Sequence, residues 1–392
     1  MTGATIDASA ALLHGRPLLR PADAGAVAEL LADAARAGRR LRPVSGLRVP
    51  CMHDLPDAWL CLERLRGVVD WHPHEGTITA LAGTPMIELE ELAARDGWRV
   101  LPQLPDPRGA SVGGVVATGS SGLERLRHGP LRHHLLGARL ALPDGSVVKS
   151  GSRLVKNVTG YDLHRLAAGA RGTTGVVVEA SLRLAPLPRA GWALCMDAAG
   201  WPTAHAAARA LLDAGCELDL LRATRAQGRW RLVACGAGRF ETCAHMSALA
   251  RRTVPEAQVS EPADFEDADS PPRTIWREER AAEADCGATV ELGCLRTECG
   301  TLVERLEERG FVVACVDPGL ARVLVRLDER DAERLRGALP PGIGTRVASS
   351  SPRAAAVLVR RRDPVRAALE ERLRAALDPR GVLARRDGAW TS

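Results

Sequence analysis

The feature that most restricts the fold is a run of small residues from Gly109 to Gly122, in which glycine, alanine, serine and valine fill most positions. Small side chains let the backbone approach another group closely, and glycine also permits positive φ angles. Consecutive N–H groups in such a run can form an anion-binding concavity. A flexible Gly/Ser linker is the alternative, but the Val-Gly-Gly-Val-Val-Ala segment is too apolar for a solvated linker. The run therefore predicts glycine-rich turns whose amides hold an anion such as a pyrophosphate.

Strand signals follow this run. The segment Leu136–Val148 contains two apolar stretches separated by Pro-Asp-Gly, a tight-turn signal that predicts a β-hairpin. After Lys156–Leu163, the segment Gly169–Glu179 combines glycines and threonines and ends in a β-branched strand. This arrangement favours a ligand that lies against exposed backbone.

The residues before the run alternate between helix and strand signals. Ala22–Ala37 has apolar residues at helical spacing, and Leu41–Arg48 reads as a strand and a turn. Thr77–Pro85 predicts a strand, a turn and a helix start, and Met86–Arg95 predicts an amphipathic helix. Thr84 is the expected N-cap of that helix, with the following proline at its first position.

A domain boundary is expected at Pro186–Pro188, beyond which the pattern changes. The predicted strands are Trp192–Met196, Leu218–Ala223, Trp230–Cys235, Thr289–Leu295, Phe311–Val316 and Arg322–Leu327. The predicted helices are Thr203–Ala214, Glu241–Arg252, Gly300–Arg309, Asp331–Ala338 and Pro364–Leu377. The order strand, helix, strand, strand, helix is most of a split βαβ unit. The Pro- and Asp-rich Glu256–Arg273 is expected to be a surface loop, and Cys235–Arg239 a tight turn, because the third glycine of a dinucleotide fingerprint is missing.

Composition sets a few bounds. A chain of 392 residues is long enough for two cores. The net charge of +5 is small and dispersed, and aromatic residues make up only 3% of the chain, so a nucleic-acid-binding surface is not expected. We find no signal peptide and no apolar run of membrane length, which indicates a cytoplasmic protein.

Histidine and cysteine patterns do not indicate a metal centre. His72 and His74 flank a proline in an expected solvated turn, and a partly exposed loop is the simplest interpretation of His133 and His134, although one of them could face a pocket. Most of the ten cysteines are expected to be small core residues. The closest pair is Cys294 and Cys299. Iron–sulfur ligation is not expected, because a cluster needs several thiolates at close spacing.

Four ordered motifs resemble one family, the flavin-linked oxidases of the p-cresol methylhydroxylase (PCMH) and vanillyl-alcohol oxidase type. The matching segments are Ala110–Gly114, Arg127–Gly129, Lys156–Leu163 and Gly169–Val176. Ala375–Leu383 also resembles the closing segment of the family. The chain is most similar to the second, smaller FAD-binding subunit of glycolate oxidase.

The resemblance implies an α+β fold with two domains. Residues 1–188 would form a two-subdomain PCMH-type FAD-binding domain. Residues 189–392 would form a smaller, ferredoxin-like α+β cap domain that covers the flavin, with a C-terminal segment that returns to the flavin domain.

The resemblance also implies where FAD binds. The expected cofactor-binding residues are Pro43, Val44, Ser45, Gly46, Leu47, Pro102, Ser111, Val112, Gly113, Gly114, Ala117, Thr118, Ser120, Gly122, Gly129, Gly160, Gly172, Gly175, Val176 and Val177. The turn at Leu41–Arg48 contains no histidine, so FAD is expected to bind non-covalently. Members of the family usually carry two or three consecutive glycines in this turn, whereas this chain has only Gly46.

The catalytic residues are not assigned. The larger flavin subunits carry a histidine-rich metal motif that does not appear after His245 in this chain. Arg222, Arg277 and Arg326 could bind a carboxylate, but a chain this rich in arginine supplies such candidates by chance.

Three functions stay open. The first is an FAD-binding oxidoreductase subunit that supports oxidation of a 2-hydroxy acid, with a catalytic flavin subunit and an iron–sulfur subunit that accepts the electrons. Such a complex would be cytoplasmic, or held at the inner face of the membrane by its partners. The second is a self-sufficient FAD-linked alcohol or hydroxy-acid dehydrogenase. The third is a scaffold subunit that has lost its flavin. The single glycine in the Leu41–Arg48 turn favours this interpretation.

Overall fold

The structure is a computed structural model that describes residues 12–45, 55–104, 106–152, 162–226, 228–265, 267, 269–285, 290–340, 342–347 and 364–383. The helices are α1 Ala24–Arg36, α2 Met86–Arg95, α3 Val112–Thr118, α4 Arg125–His128, α5 Leu163–Ala167, α6 Trp201–Asp213, α7 Phe240–Thr253, α8 Pro271–Asp285, α9 Cys299–Glu308, α10 Ala332–Ala338 and α11 Pro364–Leu377. The strands are β1 Leu12–Leu13, β2 Arg16–Leu19, β3 Leu41–Val44, β4 Ala58–Cys61, β5 Val68–His72, β6 Thr77–Leu81, β7 Trp98–Arg99, β8 Leu135–Ala141, β9 Val147–Gly151, β10 Val176–Arg183, β11 Ala185–Pro186, β12 Ala190–Ala198, β13 Leu220–Ala226, β14 Arg229–Gly238, β15 Gln258–Val259, β16 Ala263–Asp264, β17 Val290–Gly293, β18 Val312–Asp317, β19 Arg322–Arg326 and β20 Gly344–Val347. The predicted α+β fold class is confirmed.

The described chain divides into two compact units. The first contains residues 12–122, 130–187 and 364–383, and the second contains residues 123–129 and 188–347. The chain therefore leaves the first unit for the short segment around α4, returns, and enters the second unit again at Pro188.

The first unit begins with a four-stranded sheet in the order β1-β2-β4-β3, in which β3 and β2 both run parallel to β4. The predicted first helix is confirmed as α1, which Asp23 caps by accepting a hydrogen bond from the amide of Ala26. The amide of Leu41 donates to the carbonyl of Val382, 2.7 Å away, so the C-terminal segment extends the edge of this sheet. The carboxylate of Asp378 fixes that segment by accepting hydrogen bonds from two of its amides.

The second sheet of this unit is antiparallel, in the order β5-β6-β10-β8-β9. The predicted hairpin is confirmed, because β8 and β9 pair from Ala141 opposite Val147 around the Pro-Asp-Gly turn. The helix predicted over Met86–Arg95 is also confirmed, but its predicted cap is wrong. Thr84 makes no cap: its buried hydroxyl accepts from the amide of Gly67 at 2.9 Å and donates to the carbonyl of the same residue at 3.2 Å.

The small-residue run forms helix α3 rather than a turn. Ser111 is the N-cap, and its hydroxyl accepts from the amide of Gly114. The amide of Val112 donates to the carbonyl of Thr84 and that of Gly113 to the carbonyl of Ala82. Protein acceptors therefore use the first amides of this helix, and the anion site predicted for the run stays a prediction. Glycine is required here for close packing, since a Cβ at Gly113 would lie 2.7 Å from the Cβ of Ala82.

The second unit is built on an antiparallel sheet of nine strands in the order β15-β12-β14-β13-β18-β19-β17-β20, with β16 also beside β12. The predicted strands and helices of this half are confirmed within a few residues of their ends. Each half of the sheet follows the order strand, helix, strand, strand, helix, and β13 pairs with β18 to join the halves. The core on one face contains Trp201, Leu211, Leu302 and other buried residues of the helices between the strands.

Two predictions for this half are wrong. Cys235–Gly238 is the end of strand β14 rather than a tight turn. A Cβ at Gly236 would lie 2.4 Å from the indole nitrogen of Trp192, so the glycine is needed for side-chain packing across the sheet. The expected surface loop at Glu256–Arg273 contains β15, β16 and the start of α8, and it buries Phe265 beside Trp276.

Candidate functional site

A cavity of about 120 Å³ lies within the first unit. The residues that line it are Arg42, Pro43, Val44, Ser45, Trp59, Leu62, Gly113, Gly114, Ala117, Thr118, Arg171, Gly172, Val176 and Val177. They come from the parallel strands β3 and β4 and the residues directly after them, from α3, from the turn before β10, and from the first residues of β10. The cavity thus forms where the four-stranded and the five-stranded sheets of this unit meet.

One wall comes from β3 and β4. Parallel pairing sets Arg42 opposite Trp59 and Pro43 opposite Leu60. The indole of Trp59 is fully buried, and its nitrogen donates to the carbonyl of Leu13 at 2.8 Å, so the ring is held in place. This wall is rigid because strand pairing fixes its backbone.

The opposite wall is α3. Its small residues leave space above the helix, and Thr118 is the polar side chain that it contributes. The hydroxyl of Thr118 donates to the carbonyl of Gly114 at 2.7 Å and shares a contact of 2.6 Å with the hydroxyl of Ser120. Ser120 therefore contacts a lining residue but does not itself line the cavity.

The turn before β10 completes the cavity. Arg171 has a φ of 56°, a left-handed conformation that non-glycine residues rarely adopt, and its amide donates to the carbonyl of Ala117 at 2.7 Å. Gly172 follows with a φ of 77°, and a Cβ there would lie 2.5 Å from Cγ of Pro43. The turn therefore needs glycine at this position both for its backbone angle and for its approach to β3.

The cavity suits the phosphate part of a dinucleotide. The hydroxyl oxygen of Ser45 is buried and has no hydrogen-bond partner in the described structure, so a ligand atom can pair with it. Both charged side chains among the lining residues are arginines, Arg42 and Arg171. A pyrophosphate carries the complementary negative charge. The residues present therefore fit FAD.

The structure brings together about half of the residues predicted for the cofactor. The predicted residues that line the cavity are Pro43, Val44, Ser45, Gly113, Gly114, Ala117, Thr118, Gly172, Val176 and Val177. Those outside the lining are Pro102, Ser111, Val112, Ser120, Gly122, Gly129 and Gly175. Gly46, Leu47 and Gly160 lie outside the described residues, as does most of the Lys156–Leu163 motif. The assignment of each residue to FAD stays a prediction.

The structure also adds lining residues that the sequence did not indicate: Arg42, Trp59, Leu62 and Arg171. Arg42 lies within the predicted strand and turn Leu41–Arg48, and Arg171 lies within the Gly169–Val176 motif. Trp59 and Leu62 lie outside the segments that the sequence analysis singled out.

The Arg127–Gly129 motif belongs to the second unit. Arg127 donates to the carbonyl of Ala237 at 2.8 Å and forms ion pairs with Glu217 and the fully buried Asp219. These contacts fix the α4 segment on the sheet of that unit, so the motif has a structural role here.

Arg222, one of the three arginines considered for binding a substrate carboxylate, already pairs with a carboxylate of the protein. Arg222 is buried and grips Asp317 through two contacts of 2.7 and 3.3 Å, and Arg322 donates to the same carboxylate at 2.7 Å. Burial alone would raise the pKa of Asp317, but the two guanidinium groups outweigh it and hold the pKa at about 2. Arg222 is therefore engaged in an internal ion pair.

Among the described residues, the histidines and cysteines form no candidate metal site. His133 is exposed, whereas His134 is buried, so the expectation of partial exposure is wrong for His134. In the described part of the chain, no three His, Cys, Asp or Glu side chains are grouped so that they could hold a metal ion. Cys61, Cys216, Cys235, Cys243, Cys299 and Cys315 are buried, as expected of core residues. No helix within the described ranges is both long and apolar enough to cross a membrane.

Comparison with known proteins agrees with this geometry. Residues 16–151 match the family model of an FAD binding domain. The chain is 40% identical over 131 residues to the glycolate oxidase subunit GlcE of Escherichia coli, covering 33% of this chain and 37% of that protein. It is 38% identical over 130 residues to the D-2-hydroxyglutarate dehydrogenase of Xanthomonas citri pv. viticola, covering 33% of this chain and 27% of that protein. The chain therefore matches well under half the length of these relatives.

A solved structure of alkyldihydroxyacetonephosphate synthase superimposes with a TM-score of 0.66 at 13% identity, covering 93% of this chain and 76% of that chain. At this identity the similarity shows a shared fold. The family match, which includes the cavity residues from Arg42 to Thr118, assigns FAD as the cofactor. Residues 16–151 thus form an FAD-binding domain of the PCMH type, and the chain shares its fold with alkyldihydroxyacetonephosphate synthase.

Proposed function

We propose that this protein is the FAD-binding subunit of a complex that oxidises a 2-hydroxy acid and passes the electrons to an iron–sulfur partner. The observation that carries the proposal is the cavity of the first unit, which combines an unpaired buried hydroxyl with two arginines. The similarity to a glycolate oxidase subunit supports the substrate class and the multi-subunit setting. Such a complex would work in the cytoplasm, or at the inner face of the membrane through its partners.

The residues of the cavity would hold the cofactor by position and charge. Ser45 would donate a hydrogen bond to a phosphate oxygen, and Arg42 and Arg171 would offset the negative charge. The rigid strand wall around Trp59 and the small residues of α3 would set the width of the cleft. Bound FAD would supply a two-electron acceptor to the complex.

Flavin binding can be tested with a matched pair of glycine variants. Gly114→Leu places a side chain beside the cavity, and a Cβ there lies 3.1 Å from the hydroxyl of Ser111, which would have to shift slightly. Gly25→Leu is the control: Gly25 is exposed on α1 and also lies near its capping side chain, with 3.2 Å to Asp23. We expect FAD affinity, measured by quenching of flavin fluorescence, to fall roughly a hundredfold in Gly114→Leu and to be unchanged in Gly25→Leu. Equal affinity in both variants would overturn the placement of FAD in this cavity.

The subunit role requires the native assembly. We would isolate the tagged full-length protein from its own cells and measure iron, acid-labile sulfide and dye reduction with glycolate and D-lactate. Co-purified iron and sulfide, with dye reduction that depends on the assembly, support the proposed role. Full dye reduction by the isolated chain would favour a self-sufficient dehydrogenase instead, and a chain that takes up no FAD would favour a scaffold.

A further inference from the structure

Arg171 has an unfavourable backbone conformation for an arginine. Its φ of 56° lies in the left-handed region, and among the described residues only two other non-glycine residues, His14 and Ala321, have a positive φ. A Cβ makes this conformation unfavourable because it lies too close to the neighbouring backbone, whereas glycine adopts the same angles without that cost. Glycine would therefore suit the turn better than arginine, unless the side chain of Arg171 contributes something else.

Contacts with α3 hold the turn in this conformation. The amide of Arg171 donates to the carbonyl of Ala117 at 2.7 Å, and the amide of Gly169 donates to the carbonyl of Val116 at 3.0 Å. Both carbonyls lie in the last turn of α3, where a helix leaves carbonyl oxygens open to donors from outside. The backbone angles at position 171 are thus set by the packing of the turn on α3. They should stay the same when the side chain is changed.

The side chain of Arg171 belongs to the lining of the cavity in the first unit. Its charge lies in the same lining as the hydroxyl oxygen of Ser45, which is buried and has no hydrogen-bond partner in the described structure. Arg42, the other charged lining residue, is buried, whereas Arg171 is half-buried. A guanidinium group and a hydroxyl group facing one cavity are complementary to a phosphate.

The segment that carries Ser45 is poor in glycine. Leu41–Arg48 contains one glycine, Gly46. Residues with a Cβ rarely adopt the positive φ angles that let several amides point at one anion. The sequence therefore predicts few backbone donors from this segment, so a charged side chain becomes the stronger source of affinity for a phosphate.

Resting on the proposed function, we propose that Arg171 is a charged anchor for the pyrophosphate of FAD, and that the protein gives up folding stability to place it. A strained backbone is retained where the surroundings fix it and the side chain serves a site. Here the carbonyls at the end of α3 fix the angle, and the cavity receives the charge. The proposal makes two separate statements, one about FAD affinity and one about the stability of the flavin-free protein.

Two variants of Arg171 separate the charge from the backbone strain. Arg171→Gln removes the charge and keeps a Cβ in the left-handed conformation. Arg171→Gly removes both the charge and the strain. Arg36→Gln is the matched control for loss of a positive charge, because Arg36 is on α1 of the same unit, its side chain is 68% exposed, and it does not line the cavity.

FAD affinity is measured on the full-length proteins by quenching of flavin fluorescence. We expect it to fall at least about tenfold in Arg171→Gln and in Arg171→Gly, as expected when a charged hydrogen-bond donor is lost, and to stay unchanged in Arg36→Gln. Arg171→Lys should recover part of the loss. Raising sodium chloride from about 0.05 M to about 0.5 M should weaken FAD binding by the native protein more than by Arg171→Gln, because salt screens the attraction between guanidinium and phosphate.

Stability is measured by urea unfolding of the flavin-free proteins. Arg171→Gly should unfold at a higher urea concentration than Arg171→Gln. Both variants lack the charge, so the difference between them reports the backbone strain alone. The native protein would then combine the stronger FAD binding with a strained turn.

The possible results separate this proposal from the proposed function. Equal FAD affinity in Arg171→Gln and Arg36→Gln would overturn the anchor and leave the FAD site in place. Arg171→Gly that unfolds at the same or a lower urea concentration than Arg171→Gln would overturn the loss of stability. A native protein that binds no FAD would overturn both the anchor and the proposed function.

Discussion

Gly172→Ala should destabilise the first unit and weaken FAD binding together. The left-handed backbone at a φ of 77° costs a residue with a Cβ about 1–2 kcal/mol. The new Cβ would also lie 2.5 Å from Cγ of Pro43, and overpacking of this kind costs about 1–3 kcal/mol. The total loss should be about 2–5 kcal/mol. Because Pro43 lines the cavity, the shift that relieves this clash should also lower FAD affinity.

The matched control is Gly169→Ala. Gly169 also has a left-handed backbone, at a φ of 88°, but a Cβ there would meet nothing within 4 Å. This variant should lose only the backbone contribution of about 1–2 kcal/mol and keep its FAD affinity. Urea unfolding of the flavin-free proteins and flavin fluorescence titrations measure both quantities. If the two variants lost equal stability and bound FAD equally well, the close approach of this turn to β3 would be refuted.

Three further results are expected from residues away from the cavity. Asp317→Asn leaves the buried Arg222 without its counter-charge and should cost about 3–5 kcal/mol in urea unfolding, whereas Asp213→Asn removes only an exposed ion pair and should cost less than about 1 kcal/mol. The pKa of Asp317 is lowered to about 2 in the folded protein, so its stabilising contribution is present above its unfolded pKa near 3.8 and is lost as pH falls toward 2. That acid-dependent loss of stability should therefore shrink in Asp317→Asn, and an unchanged pH profile would contradict the assignment. Thr84→Val removes both hydrogen bonds to Gly67 and should cost about 1–3 kcal/mol in urea unfolding; an unchanged free energy of unfolding would contradict the contribution of these buried bonds.

Local signals in the sequence predicted much of the fold. The Pro-Asp-Gly turn between two apolar stretches gave the β8–β9 hairpin, because turn chemistry and strand pairing act over a few residues. The helix Met86–Arg95 followed from apolar spacing alone. The order of elements in the second unit was also readable, since each strand and helix has its own period.

Long-range contacts explain the errors. The small-residue run became a helix because Ser111 caps it and because carbonyls of Ala82 and Thr84 accept its first amides, a partnership that sequence spacing does not contain. Thr84 lost its predicted capping role to Gly67 for the same reason. Glycines at 236 and 238 resembled a turn, but both pair with strand β12, and Gly236 also packs against Trp192.

The cavity was predictable only in part. Its glycines and valines stood in recognisable motifs, so they were named from the sequence. Trp59 lines the cavity because β4 pairs with β3, and Arg171 lines it through a left-handed backbone that arginine rarely adopts. Neither feature has a local sequence signal. Sequence reasoning therefore identified the ligand class better than the full set of lining residues.

The visible absorption spectrum of the purified protein tests most directly whether the first unit holds FAD non-covalently. We expect a flavin spectrum that moves entirely into the supernatant when the protein is denatured and precipitated. A protein that is colourless as purified and stays colourless after incubation with FAD would contradict FAD binding by the first unit.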